Sequence, residues 1–423
     1  MSTLKVNKLR DTAGSADAIT LDPNGGAVLA GVTTVTSVKV GAAVTITESG
    51  IEATGVGITV ANINGGQIGG RRNIIINGDM QVAQRATSST SAGYSTVDRW
   101  SNSYSHDATM TITQHALTSS DSGPYEEGFR YSHHATNGST SANVAQYYEP
   151  QQPIEAQNVS LSGWNYKSST SFITLSFWVK SSVGQEYQAG LLSTDGTLYK
   201  YPFAFTLSAN TWTKVVKTIP GNSNLQIDND NGEGLRVSIV PYFGTNYTDN
   251  SVSHDTWSTW SSSARWKDST TTWWTTNGAT FEFTGVQLEV GQQATAFEHR
   301  SFGEELSLCH RYYYLVGSQA RDGNPSYTLG IGALNTDNSA FIHFPFPTEM
   351  RATPTLDHTN GADYYRFFNN GGGANLDGSF SIWNPTRVQS FASCTLDSNL
   401  TSGGAVFSTF NDNSAQLGFT AEL

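Results

Sequence analysis

The segment that decides the fold runs from Arg72 to Trp100 and reads RNIIINGDMQVAQRATSSTSAGYSTVDRW. An apolar triplet, Ile74–Ile76, precedes the turn-forming sequence Asn77-Gly78-Asp79, and a short polar run extends from there to Arg85. A loop rich in serine, threonine and glycine follows and ends on Asp98-Arg99-Trp100. The pattern predicts a strand, a turn, a second short strand and a loop that ends on a large buried anchor, Trp100.

The composition of the chain changes at this segment. Residues 1–71 contain no tryptophan, tyrosine or phenylalanine, whereas the remainder is rich in all three. The length of 423 residues predicts two or three domains. Charged residues make up only 14% of the chain, but aromatic residues reach 11%. Disordered chains lack aromatic residues, so this composition favours extended β structure with many small polar side chains.

The net charge limits the classes of partner. A formal charge of −12 argues against nucleic acid, because binding it needs a basic face, and equally against an anionic membrane surface. A weakly charged ligand such as a glycan is compatible. The sequence shows no signal peptide and no apolar run near the roughly 20 residues of a membrane helix. Cys309 and Cys394 lie far apart without metal-type spacing, so two free thiols and no cofactor are expected.

Residues 1–71 are predicted to form an N-terminal attachment region and β stalk. Short β-branched runs alternate with glycine, among them Val32–Val38, Val44–Thr47 and Ile58–Val60. At about 25 cal/mol per Å² of buried apolar area, such small tracts do not offset the ordering entropy of a lone chain. We therefore expect identical chains to share surface in an intertwined homotrimer; a flexible linker is the alternative.

Residues 72–300 are predicted to form a jelly-roll β-sandwich, because many short strand patterns recur with turns between them. Strands are expected at 173–180, 201–207, 212–219, 235–240 and 281–290. Large aromatic side chains are usually buried. Phe177 and Trp178 are therefore expected in the core together with Trp100.

The sequence predicts one helix, a neck at about residues 301–314. Ser301 and Glu304 have the spacing of a capping box, in which each side chain satisfies the free backbone amide of the other residue. One apolar stripe along the helix is formed by Phe302, Leu306, Cys309 and Tyr313. An apolar stripe of this width must pack against another protein surface. The sequence leaves open whether the body provides it or identical helices do so on a threefold axis.

The neck helix and a small distal β-sandwich make up residues 301–423. Strands are expected at 340–344 and 379–383, with a proline turn at 351–355 and a flexible loop at Gly371–Gly373.

Two segments resemble the beginning and the end of the jelly-roll module of bacteriophage tail fibre and receptor-binding proteins. They read IIINGDMQVAQR…YSTVDRW, within 74–100, and TGVQLEVGQQATAFEHRSFGEELSLCHRYY, at 284–313. PTEMRATP at 347–354 resembles the tip domains of such fibres, and MSTLKVNKLRDTAG at 1–14 resembles their virion-anchoring residues. The resemblance implies an architecture like that of carbohydrate-binding modules, with Phe177-Trp178 on a central strand. It implies other tail proteins and a host glycan as partners.

A group of tryptophans is the first candidate site. Sugar rings present C–H faces that stack on indole, and neighbouring hydroxyl and amide groups meet the sugar hydroxyls. The candidate glycan platform lies in a stretch rich in serine and threonine and comprises Trp257, Trp260, Trp266, Trp273 and Trp274. The alternative is that Trp257 and Trp260 anchor a long connection to the sandwich while Trp273-Trp274 begins a strand.

Two further candidates follow. Tyr364 and Tyr365 precede the triple glycine and suit adhesion from a distal loop, with a buried strand as the alternative. Asp228, Asp230 and Glu233 form a superficial calcium-loop pattern that lacks the twelfth-position glutamate and helical flanks of an EF-hand. In the resembled family a similar sequence forms a structural turn, so no metal is expected.

The sequence shows no motif for catalysis: P-loop, GxSxG and HExxH patterns are all absent. A glycosidase needs two carboxylates that flank a bond. Glu282 and Glu289 lie seven residues apart on one predicted strand, so they are expected on opposite faces. The sequence leaves open whether neighbouring chains contribute such a pair of carboxylates.

Together these observations predict a structural virion protein rather than an enzyme. We expect a trimeric tail fibre, made in the host cytoplasm and located in the tail, that attaches to the host by binding surface glycan. One alternative is a tailspike-type polysaccharide depolymerase. Another is a structural tail adaptor or decoration protein that binds only virion proteins.

Overall fold

The computed structural model describes residues 71–139, 141–318, 328–370, 372–400 and 404–423 in full, and the backbone of six short strands within residues 1–70. The chain divides into two compact units, Met1–Ala61 and Asn62–Leu423. Within the described residues, no helix has both the length and the apolar character needed to cross a membrane. The predicted three-part division at residues 71 and 300 stays a prediction.

The first unit holds two small antiparallel sheets. Three strands pair in the order β1-β2-β3 and three in the order β4-β5-β6. Their bounds are β1 Lys8–Leu9, β2 Ile19–Leu21, β3 Ala27–Leu29, β4 Ser37–Val40, β5 Val44–Thr47 and β6 Gly50–Ala53. The strand predicted at Val44–Thr47 is confirmed. The tracts predicted at residues 32–36 and 58–60 lie outside the described residues, and the homotrimer stays a prediction.

The second unit begins with a sandwich of two antiparallel sheets, as the strand patterns predict. The strands are β7 Ser88–Ser89, β8 Ser101–Ser105, β9 Thr111–Ala116, β10 Tyr131–Thr136, β11 Tyr147–Glu155, β12 Phe172–Ser181, β13 Glu186–Ser193, β14 Tyr199–Thr206, β15 Thr213–Pro220, β16 Glu233–Val240, β17 Tyr242–Phe243, β18 Ser258–Thr259 and β19 Thr280–Val290. Two short helices, α1 Ala156–Ser160 and α2 Thr272–Thr275, lie in the connections.

One sheet has six strands in the order β15-β12-β19-β10-β9-β7. The other has seven: six follow the order β17-β11-β16-β13-β14-β18, and β8 pairs with β11. The five strands predicted between residues 173 and 290 correspond to β12, β14, β15, β16 and β19.

A single core lies between the two sheets, and strand alternation decides which side chains enter it. Phe177 on β12 and Trp100 are fully buried in this core, as predicted. Trp178 is the exception, because neighbouring strand residues point to opposite faces. It lies partly exposed on the outer face, where its indole N–H donates to Glu127 at 3.0 Å. The prediction that Trp178 belongs to the core was therefore wrong.

A β-bulge in β19 overturns a second prediction. Ser176 pairs with Gln287 and Trp178 with Thr284, so β19 has one more residue than β12 between these pairs. Gly285 supplies the left-handed conformation of such a bulge, with φ +63°. Phe281 and Phe283 before the bulge, and Val286 and Leu288 after it, all enter the core. Glu282 and Glu289 therefore share the outer face instead of lying on opposite faces.

The two carboxylates still do not form a glycosidase pair. Seven residues of strand span roughly 20 Å, whereas glycosidase carboxylates lie about 5–9.5 Å apart. The two groups are also engaged separately, since Glu289 accepts from the Thr295 amide and hydroxyl and Glu282 accepts from Ser132.

The Arg72–Trp100 segment is held by side chains rather than by strand pairing. Residues 74–76 do not form the predicted strand, and bends lie at residues 75–77. The amide side chain of Gln152 accepts from the Ile76 N–H at 2.9 Å and donates to its carbonyl at 2.8 Å, replacing a strand partner. The predicted turn does form, with Asn77 at φ 56°. Its amide side chain donates to the Val82 and Asp98 carbonyls and accepts from the Val82 N–H.

The two segments that carry the family resemblance contact each other. The Asn73 side chain donates to the Val286 carbonyl at 3.1 Å and accepts from the Leu288 N–H at 3.0 Å. A Cβ atom at Gly78 would lie 2.1 Å from the Val286 carbonyl oxygen, so only glycine fits there. The turn at 77–79 thus docks on the bulge of β19.

The distal region is a second sandwich with its own core, as predicted. Its strands are β20 Tyr313–Ser318, β21 Thr328–Thr336, β22 Ser339–Pro345, β23 Thr355–His358, β24 Tyr365–Asn369, β25 Gly372–Asn375, β26 Ser381–Trp383, β27 Gln389–Thr395, β28 Ala405–Phe410 and β29 Gln416–Thr420. The smaller sheet has the order β20-β29-β23 and the larger one the order β25-β24-β28-β21-β22-β27-β26. The strand predicted at 340–344 is β22, and the one predicted at 379–383 is the shorter β26.

The neck helix, α3, spans Phe302–His310 and starts with the predicted capping box of Ser301 and Glu304. It is shorter than expected: the chain enters β20 at Tyr313, which is therefore not a helical residue. The other three residues of the predicted stripe differ in how far they are buried. Cys309 is buried against the body with Ile76, Val82 and Tyr312, and Leu306 packs partly against this cluster. Phe302 is 52% exposed. The body thus covers most of the stripe within one chain.

Two arginines join the distal sandwich to the central one. Arg351, in the MRATP turn, donates to the Ala421, Glu422 and Asn231 carbonyls at 2.7, 2.7 and 3.0 Å. Arg99 is buried, with its guanidinium 3.5 Å above the Tyr312 ring and paired with Glu422. The C-terminal residues are thereby fixed against the body from two sides.

Candidate functional site

Three of the five tryptophans predicted to contact glycan lie inside the sandwich. Trp273 and Trp274 are fully buried and Trp257 is 9% exposed. Each indole N–H also has an internal acceptor: the carbonyl of Pro220 for Trp257, the carbonyl of Thr280 for Trp273, and the side chain of Gln146 for Trp274. The predicted platform was wrong for these three, because the connection folds them into the space between the sheets.

Trp260 and Trp266 remain together on the outer face of the seven-stranded sheet. The connection between β17 and α2 crosses this face and is fastened by Gln188, which donates to the Lys267 carbonyl at 2.8 Å. Trp260 is partly exposed, but Trp266 is only 7% exposed and packs against Val240 and Phe243, so the predicted glycan contact was wrong for Trp266 as well. The two tryptophans enclose a cavity of about 60 Å³ whose polar lining includes Glu149, Lys200, Arg236 and Arg265.

The electrostatics of this sheet-face cavity are dominated by cations. Burial lowers the pKa of Lys200 to about 8, and its ammonium donates to the Ala264 carbonyl. Burial raises the pKa of Glu149, against the hydrogen bond from Ser238 and the charge of Arg236. A volume of about 60 Å³ equals the liquid volume of about two water molecules. It admits a small substituent and not a sugar ring.

A much larger groove lies between the central sandwich, the neck helix and the distal sandwich. Its volume is about 660 Å³, within the range of about 300–1,000 Å³ typical of ligand sites. The floor is the run from Gln81 to Ser88, which is part of the fold-deciding segment. The walls bear Tyr131, Phe302 and Leu306, together with Ser414 and Gln416.

The groove combines exposed aromatic rings with planar polar groups. Tyr131 is 37% exposed and Phe302 is 52% exposed. Arg85 lies in the floor with its guanidinium 3.6 Å from the Tyr313 ring centroid and 3.3 Å from Glu422. Gln114 is anchored by donation to the Met80 carbonyl at 2.7 Å. These contacts hold the polar groups in place before any ligand arrives.

A second cavity of about 330 Å³ shares Gln81, Tyr131 and Phe302 with the groove and extends it past Arg130 to Asp79. Burial raises the pKa of Asp79 to about 7, and the negative charge of Glu305 adds to the rise. The Asp79 Oδ1 atom is buried without a hydrogen-bond partner, while Oδ2 accepts from Gln81 at 2.7 Å.

The groove escapes sequence analysis because its parts come from distant segments. Of the residues in its walls, only Phe302 and Leu306 belong to a predicted feature, the stripe of the neck helix. Tyr131 stands in a polar strand that shows no unusual pattern. The fold-deciding segment itself is the one available signal, but nothing in it indicates the helix and distal residues that it meets in the groove.

The second aromatic candidate is also largely internal. Tyr365 on β24 is fully buried in the distal core, and its hydroxyl donates to the Gln416 carbonyl. Tyr364 is partly buried and packs against the same core. The predicted adhesive role was therefore wrong for Tyr365, because it begins a strand that faces the core. For Tyr364, adhesion stays a prediction.

The superficial calcium-loop pattern of Asp228, Asp230 and Glu233 is engaged in protein contacts. Glu233 binds Arg236 through two hydrogen bonds of 2.6 and 2.7 Å. Asp230 accepts from the Gly232 N–H, and Asn231 donates to the Arg351 carbonyl. Asp228 accepts from Gln226 at 3.2 Å. Such a loop serves as a structural turn that touches the distal sandwich.

Comparison with known proteins gives likenesses of architecture only. No family model and no curated protein matches this chain. Among solved structures, the enzymatically active domain of bacteriophage CBA120 tailspike protein 4 is 11% identical, covering 52% of this chain and 21% of its own, with a TM-score of 0.29. This chain therefore matches about a fifth of that protein.

Two other similar structures are binding modules. The N-terminal cellulose-binding domain of Cellulomonas fimi β-1,4-glucanase C is 9% identical, with 50% of this chain and 100% of its own covered and a TM-score of 0.27. The CBM22-1-CBM22-2 tandem domain of Paenibacillus barcinonensis Xyn10C is 9% identical. The match covers 86% of this chain and 99% of that domain, with a TM-score of 0.26. Likenesses this weak say nothing about what this chain binds.

Proposed function

We propose that this chain is a structural adhesin of a bacteriophage tail, which attaches to a host-surface glycan through the groove floored by residues 81–88. The observation that carries the proposal is the groove itself: it has the volume of a ligand site, two exposed aromatic rings and anchored polar groups. The phage assignment rests on the sequence resemblance of residues 74–100 and 284–313.

The chemistry of the groove suits a sugar. Tyr131 and Phe302 offer apolar faces to the C–H faces of pyranose rings. Gln81, Gln114 and Arg85 offer donors and acceptors to the sugar hydroxyls. A net charge of −12 would repel a strongly anionic polymer, so a neutral or weakly charged glycan is favoured. Individual sites of this kind bind weakly, and several copies on one virion would multiply their effect through effective concentration.

The test uses purified full-length protein, immobilised host-envelope polysaccharide and two readouts, retention and new reducing ends. We expect retention without cleavage. Tyr131→Ala and Phe302→Ala should each weaken retention about tenfold, or about 1.4 kcal/mol, because an aromatic contact is lost at an exposed position. Trp383→Ala is the matched control, since this tryptophan is 47% exposed but lies on β26 outside the groove.

Trp260→Ala separates the groove from the sheet-face cavity. Retention that survives the groove variants and fails in Trp260→Ala would move the binding site to the cavity. Retention unchanged in all three variants would exclude both surfaces. If the wild-type protein neither binds nor cleaves, the adhesin is refuted and a role in binding virion proteins becomes the better explanation.

A depolymerase is the second candidate, favoured by one observation. Asp79 lines the extension of the groove with a pKa raised to about 7, as a general acid requires. Among the described residues that line the groove and its extension, Asp79 has no second carboxylate as partner; the nearby Glu305 is 3% exposed and held by the Asn77 N–H and Arg300. New reducing ends that disappear in Asp79→Asn would establish this second function in place of the first.

A further inference from the structure

Three potential metal ligands converge on the outer face of the six-stranded sheet, away from the groove. His115 lies on β9, His134 on β10 and Glu282 on β19, three strands that are adjacent in the sheet. Their nearest ligand atoms all lie within 4.8 Å of one another, and within the described residues this is the one such trio of histidine, cysteine and acidic side chains. Neither the resemblance nor the groove accounts for it.

Two distances between ligand atoms match those of a tetrahedral cation site, although the shorter one also corresponds to a long hydrogen bond between His115 and Glu282. The Nδ1 atoms of His115 and His134 lie 3.3 and 3.5 Å from the same oxygen, Oε2 of Glu282. Charge-assisted hydrogen bonds are usually about 2.7–2.9 Å long. Zinc binds imidazole nitrogen and carboxylate oxygen at about 2.0–2.2 Å, which places neighbouring ligands of a tetrahedron about 3.3–3.5 Å apart.

A neighbouring hydroxyl group leaves the Nδ1 atom of His134 available as a metal ligand. The other ring nitrogen of His134, Nε2, lies 3.3 Å from the Thr136 hydroxyl oxygen, which can accept its proton. Nδ1 is then the lone-pair nitrogen, and this atom is buried without a hydrogen-bond partner. An outer-shell acceptor that fixes the tautomer in this way is the usual companion of a metal-binding histidine.

Glu282 is likewise oriented. Lys180 binds its Oε1 atom at 2.8 Å and leaves Oε2 toward the histidines. Asp121 shares the Lys180 ammonium at 2.9 Å, so the positive charge beside the site is already balanced. The Ser132 hydroxyl, which donates to Oε2 at 2.9 Å, can rotate to another acceptor.

We propose that His115, His134 and Glu282 form a Zn²⁺ site, with water at the fourth position. Two imidazoles and one carboxylate are a donor set that zinc accepts. The His115 side chain is 46% exposed, which provides both the entry path and the open position. The bound ion joins three neighbouring strands on a face that the groove does not use.

The experiment titrates EDTA-stripped full-length protein with ZnCl₂ by calorimetry and counts bound zinc after equilibrium dialysis. We expect one zinc ion per chain, and at least tenfold weaker binding in His115→Ala and in His134→Ala. His343→Ala is the matched control, because this histidine lies on β22 of the distal sandwich. It should bind zinc as the wild type does.

Circular dichroism checks that each variant folds. If His134→Ala unfolds, His115→Ala alone decides the test, since the His115 side chain is 46% exposed. Zinc should also raise the melting temperature of the wild type and not that of His115→Ala. Absence of stoichiometric binding in the wild type, or equal affinity in the wild type and His115→Ala, would overturn the proposal. Loss of binding in His343→Ala alone would place the ion elsewhere and overturn it equally.

Discussion

At the scale of single residues, a buried carboxyl group makes the stability of the protein depend on pH. Asp79 has a pKa raised to about 7, chiefly by burial and then by Glu305. Between its unfolded value of 3.8 and about 7, the unfolded chain releases a proton that the folded chain keeps. The native state binds more protons in this window, so the free energy of unfolding falls as the pH rises.

Replacing Asp79 by Asn should therefore stabilise the protein at pH 8, because the amide imitates the protonated acid. The expected gain in the free energy of unfolding is up to about 4 kcal/mol, from about three pKa units at 1.36 kcal/mol each. At pH 3.5 both forms are uncharged, so the two proteins should unfold alike. Urea titrations at the two pH values measure this difference. An equal effect at both would show that burial of Asp79 is not its cause.

Residue-scale geometry also explains part of the family resemblance. Asn77 tolerates φ 56° and satisfies three backbone groups across the turn. Gly78 is required by the carbonyl of Val286, which leaves no space for a Cβ atom. The Asn-Gly pair thus packs the turn against β19 and does not join two strands as the sequence pattern predicts.

At the scale of elements, the MRATP turn holds the two sandwiches together. Arg351 donates to three carbonyls, two near the C-terminus and one in the loop before β16. Replacement by alanine leaves those acceptors without this donor, and at about 1 kcal/mol for each hydrogen bond we expect a loss of about 2–4 kcal/mol in unfolding free energy.

Chemical denaturation of Arg351→Ala measures this loss. Arg366→Ala is a suitable control, because Arg366 on β24 is exposed and its guanidinium lies over the Phe368 ring in a cation–π pair at 5.0 Å. It should change stability by less than about 0.5 kcal/mol. If the two variants unfolded alike, the junction would owe its stability to other contacts, such as the Arg99–Tyr312 stack.

At the scale of the whole molecule, the open question is self-association. The central and distal sandwiches each have a complete core within one chain. In the first unit, Met1–Ala61, the six strands that the structure describes are each two to four residues long, and the sequence of this unit has no aromatic residues. We therefore expect trimer formation to depend on that unit, because it gains most from burial against identical neighbours.

Light scattering after size-exclusion chromatography tests this expectation. The full chain should have three times the mass of one chain, whereas a chain without residues 1–61 should be a folded monomer. A full chain that is itself monomeric would refute the trimer. If the shortened chain stayed trimeric, the contacts would lie in the second unit, where the exposed Phe302 on α3 is the first residue to replace.

The sequence by itself determined the all-β class, five of the thirteen strands described in the central sandwich and the capping box at Ser301. These follow from local rules: alternation, turn residues and cap spacing depend only on neighbours along the chain. Tertiary structure alone decided which aromatic residues are buried and on which face a carboxylate lies. The register of β19 against β10 placed Glu282 opposite His134, the bulge at Gly285 put Glu289 on the same face as Glu282, and chain folding hid Trp273 and Trp274.

The groove shows the same division. Its floor is the segment that the sequence singles out, yet Tyr131, Phe302 and Gln416 reach it from three distant parts of the chain. Packing between modules brings them together, and packing leaves no periodic trace in any one of the segments. What the chain's sequence encodes locally is the set of elements, while the sites arise where those elements meet.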